Sequence, residues 1–92
     1  MIEITAIRLE GGKGYEHITD VQWRNTATSA TGQSTRQAIV DWLNESKANQ
    51  AVVANGSQWV YVGVVQPEDG PPYIRTHADG EWSDNLLALP PF

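Results

Sequence analysis

The sequence predicts an α+β domain: an antiparallel sheet of about five strands, in the order β-β-α-β-β-β, with one amphipathic helix packed on one face. Three observations predict it. Short runs rich in β-branched and aromatic residues recur at 2–9, 17–24, 51–54, 57–65 and 73–77. A single stretch, 35–47, carries apolar residues at helical spacing. The connections around 11–14, 55–56 and 78–80 are short and glycine-bearing, as antiparallel neighbours require.

The first strand changes phase part-way. Ile2, Ile4 and Ala6 share one face and Ile7 and Leu9 the other, which calls for a one-residue bulge or a strand covered on both sides. Gly11, Gly12 and Gly14 supply the turn into a second strand, with Thr19, Val21 and Trp23 on one face and Asp20, Gln22 and Arg24 on the other. Residues 25–33 are small and polar and read as loop. Ser34 followed by Gln37 fits the capping box that opens a helix, whose stripe is Ala38, Ile39, Trp42, Leu43 and Ser46. Asn55-Gly56 is a type I′ hairpin signal between the next two strands. The second of these is apolar on both faces, Trp59 and Tyr61 on one, Val60, Val62 and Val64 on the other. Ala78-Asp79-Gly80 suggests a bulged turn leading into 81–83. Ser83 or Asp84 then caps one helical turn through Leu86, Leu87 and Leu89, before the terminal prolines.

The whole chain, 1–92, reads as one domain with a core of modest size. A net charge of −5 argues against direct nucleic-acid or anionic-membrane binding. No cysteine is present, so thiolate chemistry and cysteine-held metals are excluded. The start of the chain lacks the pattern of a secretory signal, and its longest apolar run, Trp59 to Val65, is too short to span a bilayer. A cytoplasmic location is the expectation.

Three stretches together carry a resemblance: Glu16-His17-Ile18-Thr19 leading to Trp23, Ser34-Thr35-Arg36, and Pro72-Tyr73-Ile74-Arg75-Thr76 continuing through Asp79-Gly80-Glu81-Trp82-Ser83-Asp84-Asn85-Leu86-Leu87-Ala88-Leu89-Pro90. The pattern resembles a bacterial family of short proteins catalogued as a domain of unknown function. The resemblance implies a complete single-domain bacterial protein; it implies no activity and no catalytic residues.

The residues give little support to chemistry. His17 and His77, with Glu16, Asp20 and Asp79 near them, lack ligand spacing on any one element, so no metal or cofactor is expected. Ser34 and Thr35 read as helix caps, and no nucleophile elbow is present. The acids Asp79, Glu81 and Asp84 around a turn suit solvation and capping better than glycoside hydrolysis. Thr31-Gly32-Gln33-Ser34-Thr35-Arg36 lacks the Gly-Lys-Ser/Thr ending of a phosphate loop.

Two features point to binding. Arg36 sits in the first helical turn, where the macrodipole disfavours a cation, so Ser34, Thr35 and Arg36, with His17 near, make a candidate site for an anion or a partner's carboxylate. Trp59 and Tyr61 make a candidate contact surface, provided that their side of the strand lies outside the helix-covered core. The expectation is a non-enzymatic protein–protein interaction module that binds another protein or self-associates as a homodimer. The alternatives are an anion- or ligand-binding domain at the helix N-terminus, or a phage-type inhibitor of a host nucleic-acid-binding complex.

Overall fold

The computed structural model describes residues 1–78 and 81–92. Seven strands form one sheet: β1 (Ile2–Leu9), β2 (Ile18–Asn25), β3 (Thr31–Thr35), β4 (Ala51–Asn55), β5 (Gln58–Val65), β6 (Tyr73–Ala78) and β7 (Glu81–Ser83), with one helix, α1 (Arg36–Glu45), between β3 and β4. The spatial order is β3-β2-β1-β4-β5-β6-β7.

The α+β class holds, but the sheet is larger than the expected five strands and is mixed. β1 and β4 pair in parallel through Ile2 with Ala51 and Glu3 with Val52, and every other neighbouring pair is antiparallel. The reason is the stretch expected to be loop. Thr31–Thr35 pairs with β2 as an edge strand running in the same direction as β1 and β4, so α1 becomes the crossover that parallel strands require.

The phase change in β1 is a bulge. Ile4 pairs with Trp23 and Ala6 with Gln22, so Thr5 is the extra residue, and its hydroxyl donates to the Gln22 carbonyl. That one insertion returns Ile7 and Leu9 to the face of Ile2 and Ile4. A second irregularity between Arg8 and Leu9 brings Ile18 and Val21 inward together.

The helix begins one residue later than the capping box suggests. Thr35 is the N-cap, its hydroxyl accepting from the Ala38 N–H at 3.1 Å, while Gln37 reaches Asp41 instead of back to the cap. The buried face is also rotated from the expected stripe. Ile39 and Val40 are buried and Trp42 and Leu43 half-buried, whereas Ala38 and Ser46 are exposed. The helix lies over Ile2, Ile4, Ile7, Val21, Ala51, Val53, Val62 and Ile74, which form the core with it. The hairpin between β4 and β5 turns at Gly56-Ser57, not at Asn55-Gly56. Only Gly56 has positive φ (+63°), the pattern of a turn that needs glycine at its first central position and not of type I′.

After β7 the chain folds back in two overlapping hydrogen-bonded turns in place of the expected helical turn, the Ala88 N–H donating to the Asn85 carbonyl and the Leu89 N–H to the Leu86 carbonyl. Leu86 is fully buried and Leu87 and Leu89 pack against the core. The last residues then complete β1: the Ile7 N–H donates to Pro90 and the Phe92 N–H to Ile7. Arg8 lies 4.5 Å over the Phe92 ring and donates to its carbonyl. The expected turn at Asp79-Gly80 and the side chains of Glu81 and Trp82 lie outside the described residues.

A polar clasp fixes this C-terminal segment to β6. The buried Thr76 hydroxyl donates to the Ser83 carbonyl and accepts from the Leu86 N–H. The Tyr15 hydroxyl donates to Ser83 and Asp84 at 2.7 and 2.9 Å, and Arg75 lies over the Tyr15 ring while pairing with Asp84. Burial, reinforced by the Asp84 carboxylate and opposed by Arg75, pushes the Tyr15 pKa from 10.0 to about 12. A proton held more tightly folded than unfolded stabilises the fold below the unfolded pKa, and that contribution is lost as pH rises through the folded value. The melting temperature is therefore expected to fall between pH 10 and about 12 more steeply in the wild type than in Tyr15→Phe. Parallel melting curves for the two across this range would show that the clasp does not hold the proton.

Candidate functional site

The sheet has one face under α1 and one face without a helix. On β5, Val60 and Val62 are buried on the helix side, so Trp59 and Tyr61, which alternate with them, stand on the open face, 45% and 46% exposed. Apart from Met1 they are the exposed large apolar residues among those described.

Strand register builds a row across this face. Thr31 of β3 opposes Arg24 of β2, Arg24 opposes Glu3 of β1, Glu3 opposes Val52 of β4, Val52 opposes Tyr61 of β5, and Tyr61 opposes His77 of β6. The row is polar at Thr31, carries the ion pair next, is apolar at Val52 and Tyr61, and ends on His77. Arg24 and Glu3 pair at 2.9 Å. Val52 is fully buried although it lies on the helix-free face. Trp59 stands beside this row, opposite Ala54. The result is an aromatic patch on a rigid strand, bordered by a charge pair: the combination of apolar anchor and polar rim that protein contacts use.

The second candidate set is divided by the structure. Ser34, Thr35 and Arg36 are sequential, but they straddle the strand–helix junction and serve different partners. The Ser34 hydroxyl accepts from the Trp23 indole at 3.0 Å. The Thr35 hydroxyl is spent on the Ala38 N–H. The Arg36 guanidinium donates to the Glu16 carbonyl. Thr35 and Arg36 do share a surface cleft of about 300 Å³ with His17, Thr19, Gln37, Glu10 and Glu16. Its two carboxylates repel an anion, and His17 is engaged there by the Glu10 carbonyl at 3.1 Å. Ser34 faces a different groove, of about 350 Å³, lined by Trp23, Trp42, Ile2, Asn25, Ala38 and Ile39. This groove was not evident from the sequence, because Trp23 and Trp42 both fall on core-facing positions; they are in fact half-buried at the margin where α1 meets the sheet edge.

Among the described residues, no group of three or more His, Asp or Glu side chains is placed to hold a metal ion, and no helix is long and apolar enough to cross a membrane. Residues 3–90 match the family described as a protein of unknown function (DUF3892). The chain belongs to that family. The match to DUF3892 spans both candidate sets, the Trp59–Tyr61 patch and the Ser34–Arg36 junction. No curated protein and no solved structure matches the sequence.

Proposed function

We propose that this DUF3892 chain is a non-enzymatic binding module of the cytoplasm that engages a partner protein through the open face of its sheet. The observation that carries this reading is the exposure of Trp59 and Tyr61, side by side on a central strand and directed away from the helix. With nearly half of each side chain in water, exposure forgoes roughly half of the 1.5–3 kcal/mol that full burial of a large apolar side chain gives, and occlusion by a partner recovers it. Held on a strand paired on both sides, these rings lose little freedom on binding. The anion reading at Thr35 and Arg36 has less support, since Glu10 and Glu16 share that cleft.

The test is a binding titration with a partner retained by the immobilised wild type. Trp59→Ser combined with Tyr61→Ser is expected to weaken binding by at least tenfold, about 1.4 kcal/mol, at an unchanged melting temperature. Arg36→Ala is expected to bind as the wild type does. Equal affinity in the Trp59/Tyr61 variant, or a loss confined to Arg36→Ala, would overturn the reading.

A further inference from the structure

The outer edge of β3 is a strand with one side paired and the other open. The Asn25 N–H donates to the Ala30 carbonyl at 2.7 Å, and this fixes the alternation along the β2–β3 ladder. Residues 30, 32 and 34 turn their main-chain groups toward β2, whereas Thr31, Gln33 and Thr35 turn theirs outward. Natural sheets guard such an edge with lysine, proline or a covering element. Here residues 25–35 contain no charged side chain and no proline, in a chain whose net charge is −5. Thr31, Gln33 and Thr35 are exposed, and the strand between them is narrow, with Gly32 and Ser34 alone on its other face.

We infer that this edge pairs with the same edge of a second copy of the chain, antiparallel about a two-fold axis at Gln33, to give one sheet continuous through both copies. The choice of a second copy rests on charge and on symmetry. Two copies, each of net charge −5, repel each other overall, and this uncharged stretch lets them approach without opposing like charges along the strand itself. With Gln33 on the axis, every outward-facing residue falls opposite another: Gln33 against the partner's Gln33, and Thr31 against the partner's Thr35. The Thr35 carbonyl belongs to the helix, which leaves about four main-chain hydrogen bonds, from the Gln33 and Thr35 N–H groups of each copy. The side chains brought together on the open face are Thr with Thr and Gln with Gln, pairs favoured across strands. The inference is independent of the Trp59–Tyr61 reading, because those residues lie four strands away.

Sedimentation velocity over a concentration series from about 1 μM to about 1 mM tests it. The wild type is expected to pass from one-chain to two-chain mass. Gln33→Lys, which sets two ammonium groups across the axis while leaving the β2 ladder intact, should raise the dissociation constant at least tenfold, and Trp59→Ser with Tyr61→Ser should leave it unchanged. Amide hydrogen exchange on the wild type guards against a variant that fails to fold: the Gln33 and Thr35 amides should slow as concentration rises, while Gly32 and Ser34 stay as they are. One-chain mass throughout the series, a dimer indifferent to Gln33→Lys, or concentration-dependent protection confined to β5 would overturn the inference.

Discussion

Leu86→Ala is expected to destabilise the fold by about 2–5 kcal/mol, the cost of removing a fully buried leucine whose surroundings only partly collapse. Leu86 has no exposed surface and sits in the core cluster that α1 also enters. Its main chain is held as firmly as its side chain, because its N–H donates to the buried Thr76 hydroxyl, itself tied to Ser83. The site therefore has little freedom to shrink around the smaller residue, which argues for the upper half of the range. Against a total stability of roughly 5–15 kcal/mol, a loss of this size is severe. Urea unfolding followed by tryptophan fluorescence would measure it. A loss below about 1 kcal/mol would mean that the segment after β7 is an appendage and not part of the core.

Gly32→Ala is the second large expected effect, and its cause is a ring. A Cβ at position 32 would lie 2.4 Å from Cζ2 of Trp23. The indole cannot step aside cheaply, since its N–H is bonded to Ser34 and its face packs against the core. Overpacking of this kind costs about 1–3 kcal/mol. On propensity alone the same change should help, because glycine weakens a strand. The two accounts predict opposite signs, and a double-mutant cycle separates them. In a Trp23→Leu background the clash disappears, so Gly32→Ala should become neutral or stabilising. Equal destabilisation in both backgrounds would show that the ring is not the obstacle.

Some of this architecture is legible in the residues, and the illegible parts have physical reasons. The phase flip between Ile4 and Ile7 announces the bulge at Thr5, because strand periodicity leaves few other ways to place four apolar residues on one face. β3 is unreadable: Thr-Gly-Gln-Ser-Thr has neither alternation nor a buried side, and only pairing with β2 makes it extended. Missing β3 also hides the parallel β1–β4 pair, since without a third strand running the same way the helix has nothing to cross over from. The helix start slips by one residue because Ser34 and Thr35 are both acceptable caps, and the Trp23 indole, eleven positions upstream, claims the Ser34 hydroxyl. Trp59 and Tyr61 are visibly on one face of their strand in the sequence. Which face meets water is settled only by the alternating Val60 and Val62 turning to the buried side.

The pairing of Ile7 with residues 90–92 bears on the order of events during synthesis. β1 leaves the ribosome before every other strand of the sheet, yet the part of its edge at Ile7 stays vacant until residues 90–92 have emerged. A contact separated by more than eighty residues cannot form piecemeal as the chain grows, and it slows the search for the native arrangement. A nascent chain halted short of Pro90 would thus carry an unsatisfied β1 edge, the kind of transiently open strand that chaperones shield from aggregation.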